Sequence, residues 1–292
     1  MAERLQGPDE EAEGGKMPLM EHLVELRRRL VISIGAFVVC FFVGYAIAEP
    51  IYQFLVEPLA HLLEGQQGRR MIYTALHEAF FTYVKVGFFF AACISFPIVS
   101  IQIWLFIAPG LYKHERKALM PFLAATPFLF LLGASMVYYI VIPLAWQFFL
   151  GFESPGKEGN LAIVLEPKVG EYLSLVMRLI FAFGVAFELP VFLVLLARVG
   201  LTTAAGLASK RRYAIVIAFV AAAILTPPDV ISQVLLAIPI IVLYEISIIC
   251  ARFIEKKRED DAALDDEPDP DPKPGGGNSS NKTSGGNEEA GP

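Results

Sequence analysis

The chain has 292 residues, of which 55% are hydrophobic and 12% aromatic, and its mean hydropathy is +0.54. Soluble domains are about 45–50% apolar, so this composition argues against an ordinary soluble protein. The formal net charge of −6 excludes no class of partner, because 11 of the 30 acidic residues lie in 255–292 and seven more precede Leu30.

The apolar residues are concentrated in segments of membrane-spanning length. A helix needs about 20 predominantly apolar residues to cross a bilayer, with a range of about 17–25. The sequence therefore predicts an all-α integral membrane protein with one six-span domain at 17–256. A large soluble helical protein is the alternative, but its helices should carry a charged stripe. Six segments reach or approach the required length: 30–48, 79–108, 119–146, 172–197, 213–226 and 230–250.

The two ends of the chain differ in composition from this domain. Residues 1–16 form a polar extension, which we expect to be disordered. Residues 257–292 are rich in Pro, Gly, Asp and Glu and contain almost no apolar residues. Such a tail cannot offset its ordering entropy by burial and is also expected to be disordered.

The basic residues predict the orientation of the chain in the membrane. With six spans, both termini lie on the same side, together with the second and fourth connections. That side receives 18 of the 24 Lys and Arg residues, and the opposite loops and the spans share six. Since cytoplasmic loops carry the excess of Lys and Arg, both termini are predicted to be cytoplasmic.

The fifth and sixth segments are predicted to be short. Only about 14 residues separate Arg212 from the turn that begins at Thr226, and at 1.5 Å per residue they cover roughly 21 Å of the roughly 30 Å hydrocarbon core. The apolar run of the sixth segment, 234–244, is shorter still. A short hairpin of this kind should thin the bilayer or border a water-filled recess.

Four charged residues lie inside the predicted spans. A charge at the bilayer centre costs about 2.5–3.5 kcal/mol on insertion scales, so it usually faces protein or water. Glu188 and Glu245 are therefore candidate functional groups, although Glu188 would also be explained by protonation or a hydrogen bond between helices. Lys85 and Arg178 lie nearer the helix ends, where long basic side chains extend towards the interface.

The motifs of common enzymes are missing from the sequence. It contains neither a GxxxxGK[ST] phosphate loop nor a GxSxG nucleophile elbow. His77 and Glu78 begin like a zinc-binding HExxH helix, but Phe81 stands where the second histidine is needed. The cysteines at 40, 93 and 250 lie in apolar spans and are interpreted as small core residues. We therefore expect no catalysis, no metal and no cofactor.

Four stretches together resemble the signature regions of the TatC family, the multispanning subunit of the twin-arginine protein translocase. They are "HLVELRRRL", "FIAPGLYKHER", "FAFGVAFELPV" and "LTPPDVISQVLLAIPIIVLYEI". The resemblance covers about residues 17–256. It implies a curved six-helix bundle with a concave face in the inner (plasma) membrane, within an oligomeric complex in contact with lipid.

The resemblance also implies a function. Such a subunit binds the twin-arginine signal peptides of folded preproteins. With single-span TatA- and TatB-type partners, it exports them using the proton-motive force. No nucleic acid is involved.

Two carboxylates are expected to bind the arginine pair. A guanidinium presents a planar fork that a carboxylate accepts in a bidentate manner, and the positions that match the family's acidic pair are Glu25 and Glu115. On the residues alone, simpler explanations exist. Glu25 and Arg29 are spaced as an i,i+4 surface pair worth about 0.2–0.5 kcal/mol, and Glu115 would reduce repulsion in a basic loop.

The resemblance extends to further positions. Those matching the same cytoplasmic patch are Phe106, Arg27, Lys113 and Arg116. Glu188 matches a buried glutamate that faces the concave side. The residues matching the region where partner helices dock are Thr226, Asp229 and Gln233. One departure is that Ala223, Ile224 and Leu225, just before the outer turn, offer no polar anchor.

A small-solute transporter is the main alternative function, with Glu188 and Glu245 as proton-relay groups. Such transporters usually contain internal repeats with paired broken helices, and the two halves of this sequence show no convincing repeat. An intramembrane enzyme is a weaker alternative, because the sequence offers no nucleophile.

Overall fold

The computed structural model describes residues 19–63, 70–107, 120–154, 161, 164–198, 200–226 and 230–265. Within these ranges the chain is almost entirely helical. Its helices, in chain order, are α1 (Leu19–Ala46), α2 (Ala48–Leu63), α3 (Glu78–Ile107), α4 (Met120–Met136), a π-helical turn (Val137–Val141), α5 (Ile142–Leu150), α6 (Val169–Ala186), α7 (Leu189–Arg198), α8 (Ala204–Ser209), α9 (Arg211–Leu225) and α10 (Val230–Asp265).

Five helical segments in the described part of the chain are long and apolar enough to cross a membrane: Met20–Ala46, Glu78–Phe106, Ala124–Leu150, Val169–Arg198 and Val230–Lys256. The remaining predicted span corresponds to α9, which has 15 residues. It covers roughly 22 Å at 1.5 Å per residue. The predicted all-α integral membrane fold is confirmed, and the fifth predicted helix is as short as expected.

Several boundaries differ from the prediction. The first helix begins at Leu19, eleven residues before the predicted span. The helix α2 was not predicted. The sixth helix was expected to be short and to end near residue 250, but α10 has 36 residues and continues to Asp265. It does so because 251–265 is rich in Ala, Arg, Glu and Lys, which are strong helix formers. The predicted polar extension at 1–16 and residues 266–292 of the tail lie outside the described ranges.

Two predicted spans contain irregular turns beside prolines. The fourth breaks at Phe187 and Glu188 into α6 and α7, two residues before Pro190, which has no N–H to continue the helix. In the third predicted span, the π-helical turn is followed directly by α5. The first turn of α5 contains Pro143. The wider turn there accommodates a proline that cannot donate to the carbonyl four residues earlier.

Hydroxyl groups of tyrosines satisfy backbone carbonyls of α2. Pro58 lies inside α2 and cannot donate to the carbonyl of Phe54. The hydroxyl of Tyr138, in the π-helical turn, donates to that carbonyl oxygen at 2.7 Å. On α6, the buried Tyr172 hydroxyl donates to the carbonyl of Leu55 at 2.9 Å. These bonds fix α2 against the third and fourth spans.

The core lies around α6. Its buried side chains include Tyr172, Val176 and Phe183, which are at most 2% exposed. The ring of Tyr172 packs against Trp146 of α5, with centroids 5.2 Å apart. The fourth span is accordingly the most enclosed of the described spans, and α3 and α4 pack against it.

Glycines allow two pairs of helices to approach closely. Between α4 and α6, a Cβ atom added to Gly133 would lie 2.5 Å from the carbonyl oxygen of Phe183. Between α1 and α3, a Cβ atom added to Gly44 would lie 2.7 Å from the ring of Phe90. Small residues at such crossings let helix backbones pack closely in a membrane. By contrast, a Cβ atom added to Gly35 meets nothing within 4 Å.

We expect Gly133→Ala to destabilise the protein and Gly35→Ala, as its matched control, to leave it unchanged or more stable. The first substitution forces a methyl group into a backbone oxygen, and overpacking costs about 1–3 kcal/mol. The second gains up to about 1 kcal/mol of helix propensity. Thermal unfolding in detergent measures the difference, and equal transition temperatures for the two variants would contradict the close helix crossing.

Candidate functional site

The start of α1 meets the end of α3. The ring of His22 stacks on that of Phe106 with centroids 4.4 Å apart and an angle of 26° between the ring planes. Two turns further along α1, Arg29 donates from Nη1 to Oε1 of Gln102 on α3 at 3.1 Å. The two antiparallel helices therefore form an aromatic contact and a polar contact at the same end of the membrane domain.

Glu25 lies within this polar group. Its Oε1 accepts a hydrogen bond from Nη2 of Arg29 at 3.1 Å. The side chain of Glu25 is 19% exposed and that of Arg29 is 24% exposed. The predicted i,i+4 pair is thus confirmed, and it is partly buried. An ion pair with this geometry shows that Glu25 is positioned to accept a guanidinium.

An open recess of 370 Å³ lies beside the pair, and Glu25, Arg29 and Arg28 line it together with Met20, Glu21 and Val24. The Nε of Arg29 is buried without a hydrogen-bond partner among the described residues. The guanidinium of Arg29 therefore donates from its two terminal nitrogens, one to Glu25 on α1 and one to Gln102 on α3. The recess leaves room for further polar groups next to Glu25.

The other residues predicted for this patch have different outcomes. Phe106 lies at its edge, stacked on His22. Arg27 is exposed, and its position two residues from Glu25 places it about 200° around the helix, on another face. Lys113, Glu115 and Arg116 lie outside the described residues. The structure thus brings together Glu25 and Phe106 of the six predicted residues.

Glu188 occupies the turn between α6 and α7. A side-chain hydrogen bond joins it to Thr126 of α4, which is 1% exposed. The Oε1 of Glu188 is buried and has no hydrogen-bond partner among the described residues. Beyond the turn, Val191 and Leu195 of α7 pack against Trp104. Glu188 therefore presents one acceptor atom without a described partner where the third and fourth spans meet.

The predicted residues at the α9–α10 turn form internal hydrogen bonds. Thr226 is 8% exposed, and its hydroxyl donates to the carbonyl oxygen of Ala222 at 2.9 Å. Gln233 of α10 donates from Nε2 to the carbonyl of Phe219 at 3.1 Å. Both carbonyls lie in the last two turns of α9, so the two polar side chains hold that helix end. Asp229 lies outside the described residues.

The sequence analysis missed two side-chain interactions. Gln102 was overlooked as the third member of the Glu25 group, although an amide inside an apolar helix is itself a signal that it has a partner. Glu245, considered for a proton relay, accepts a bidentate pair of hydrogen bonds from Arg211 of α9, at 2.7 and 2.9 Å. No sequence signal connects these two residues, which are 34 positions apart.

The described residues contain no group of three or more His, Cys, Asp or Glu side chains that could hold a metal ion. The three cysteines, at 40, 93 and 250, are unpaired and partly buried.

Comparison with known proteins places this arrangement in a family. A model of the Sec-independent protein translocase protein (TatC) family matches residues 21–239. The TatC protein of Magnetococcus marinus is 54% identical over 251 residues, covering 86% of this chain and 90% of that protein. The TatC protein of Escherichia coli K12 is 42% identical over 236 residues, covering 81% and 88% of the two chains.

A solved structure agrees with the sequence matches. The crystal structure of the twin-arginine translocase receptor TatC in the detergent DDM is 41% identical in sequence and superposes with a TM-score of 0.69. The match covers 79% of this chain and 99% of that one. By family match, sequence identity and shared fold, the chain belongs to the TatC family of Sec-independent protein translocase proteins and is a multi-pass membrane component of protein transport.

Proposed function

We propose that the chain is the receptor subunit of a twin-arginine translocase and that the end formed by α1 and α3 binds the arginine pair of a signal peptide. The observation that carries the proposal is the hydrogen bond from Arg29 to Glu25. Glu25 already holds a guanidinium, it is only partly exposed, and an open recess adjoins it. An arginine of the substrate would meet the same carboxylate from that recess.

The remaining parts of the peptide site are assigned by family membership and charge. Glu115 supplies the second carboxylate, so that each guanidinium of the pair has an acidic partner. The stacked rings of His22 and Phe106 form an aromatic wall for residues next to the arginines. The cations Arg27, Lys113 and Arg116 border the patch and fit a cytoplasmic location.

Partner subunits are assigned to a second region. Single-span TatA- and TatB-type helices dock along α9 and α10 near Thr226, Asp229 and Gln233. The shortness of α9 and its exposed apolar residues, such as Val216 at 60% and Ile217 at 66%, support a helix that packs against other subunits. Glu188 organises polar contacts in the concave face of the bundle. The complex contains several copies and uses the proton-motive force.

The structure weakens the alternative of a proton-coupled solute transporter. Of its two proposed relay groups, Glu245 is bound by the fork of Arg211 and is 40% exposed. Both of its carboxylate oxygens are therefore engaged by one guanidinium. No feature of the described residues favours the transporter over the receptor.

We expect Glu25→Gln and Glu115→Gln each to weaken the binding of an Arg-Arg signal peptide by roughly ten- to a hundredfold, because hydrogen bonds to charged groups contribute about 1.5–3 kcal/mol. A Lys-Lys peptide should bind less well than Arg-Arg, since it lacks the fork. Titration of a labelled peptide against the purified complex gives the affinities. Glu49→Gln, an exposed acid on α2, is the control. Wild-type affinity in both site variants would refute the carboxylate assignment.

The predicted orientation is tested by single cysteines in a cysteine-free background. With both termini cytoplasmic, His114→Cys and Ser209→Cys should be shielded from a membrane-impermeant thiol reagent in intact cells. Gln66→Cys and Lys157→Cys should react. As a control, all four cysteines should react with the reagent after cell lysis. The reverse labelling pattern in intact cells would overturn the predicted topology.

Glu188→Ala should reduce partner assembly or transport by about tenfold or more while leaving signal-peptide binding largely intact. The reason is that the substitution removes a buried acceptor in the membrane interior, and none of the described hydrogen bonds of Glu25 and Arg29 involves Glu188. Glu188→Gln, which keeps the shape, should be affected less. Co-purification of the TatB-type partner and peptide titration measure the two properties separately. Full transport by Glu188→Leu would show that the acid is incidental.

A further inference from the structure

A second charged recess lies between α3 and α6, near the first residues of both helices. The segments that precede these helices are joined by an isolated β-bridge between Ile72 and Lys168. Its volume is 400 Å³, and it contains two basic side chains, Lys85 of α3 and Arg178 of α6. The other lining residues are Glu78, Gly170, Glu171, Ser174 and Leu175. The peptide and partner sites proposed above do not use this recess.

The two acidic residues of the recess are already engaged. Glu78 accepts hydrogen bonds from the backbone N–H groups of Thr74 at 2.8 Å and Gly170 at 3.1 Å, one with each carboxylate oxygen. Glu171 pairs with Lys168 at 3.3 Å. Neither carboxylate therefore serves as the counter-ion of the two basic side chains in the recess.

Lys85 and Arg178 have no ion pair or hydrogen bond with any residue that the structure describes. They lie inside the segments Glu78–Phe106 and Val169–Arg198, seven and nine residues from the helix starts, or about 10 and 13 Å along the helix axes. A cation at this depth is costly unless it faces water or a counter-ion. Two unpaired cations on neighbouring helices thus form a site for an anion.

Exposed apolar side chains lie next to the two cations. On α3, Phe81 and Phe88 lie on the same helix face as Lys85, and they are 52% and 57% exposed. On α6, the exposed stripe that contains Arg178 continues to Val185, which is 39% exposed. Long basic side chains at such positions extend their charged ends towards the lipid headgroups and leave their alkyl stems against apolar surface.

We propose that this recess binds the phosphate of an anionic phospholipid, with its acyl chains along the exposed apolar faces of α3 and α6. The guanidinium of Arg178 offers a planar fork that matches two phosphate oxygens, and the ammonium of Lys85 adds a point charge. The bound lipid supplies the counter-ion that the described side chains do not. It also bridges the second and fourth spans next to the loop that Glu78 holds.

The test uses the purified full-length chain in a neutral detergent, titrated with phosphatidylglycerol, phosphatidylcholine or inorganic phosphate. Native mass spectrometry and thermal unfolding report binding. We expect wild-type protein to bind phosphatidylglycerol at least tenfold more tightly than phosphatidylcholine and to be stabilised by it. Lys85→Gln and Arg178→Gln should each weaken phosphatidylglycerol binding by about tenfold, and together they should abolish the preference.

Control variants make the result specific to the recess. The double variant Lys210→Gln/Arg252→Gln removes one Lys and one Arg charge from exposed positions elsewhere and should keep the preference. Lys85→Arg should also keep it, which separates loss of charge from loss of folding. The proposal is overturned if the Lys85/Arg178 double variant retains the wild-type preference. It is also overturned if inorganic phosphate protects as well as the lipid does, since the site would then bind a free anion.

Discussion

The structure depends on satisfying backbone polar groups where the bilayer offers no water. An unpaired carbonyl in hydrocarbon costs several kcal/mol, and each proline inside a helix creates one. The Tyr138 hydroxyl that donates to Phe54 opposite Pro58 meets this demand. One hydrogen bond thereby ties α2 to the π-helical turn of the third span. The polar side chains of Thr226 and Gln233 likewise find acceptors for their own donor groups, in carbonyls near the end of α9.

Close packing then determines where the functional residues lie. The glycines at 44 and 87 let the last turn of α1 approach the first part of α3 closely, and at the other end of this antiparallel pair the start of α1 meets the end of α3. Glu25, Arg29 and Gln102 are adjacent for this reason. A site that joins α1 residues to a residue on α3 at least 73 positions away is thus a consequence of an antiparallel helix pair with a narrow crossing.

The sequence alone predicted the elements governed by hydropathy and length. The membrane class, the positions of the long spans and the shortness of α9 all follow from counting apolar residues. It failed where tertiary contacts or local helix propensity decide the outcome. The extension of α10 to Asp265 depends on helix formers outside the apolar run, and the helix α2 is too amphipathic to register as a span.

The candidate site was predictable only in part for a similar reason. Spacing along α1 is enough to pair Glu25 with Arg29. Gln102 and the Arg211–Glu245 pair require knowledge of which helices are neighbours, and hydropathy does not supply it. Glu188 was recognisable as a candidate site residue because a carboxylate within an apolar run is costly in a membrane. Its contact with Thr126 could not be predicted, because it depends on how α4 and α6 cross.

The π-helical turn at Val137–Val141 has a consequence for the tolerance of this span to insertion and deletion. A single π turn absorbs one extra residue within an otherwise α-helical segment. Without it, each added residue would rotate the following segment by about 100°. Trp146 then keeps its place against Tyr172 while Tyr138 and Tyr139 occupy the widened turn. Deleting one residue between 137 and 141 would restore ordinary helical geometry without turning α5 away from the core. A deletion inside α5 before Trp146 would lack this compensation and would turn the indole away from Tyr172.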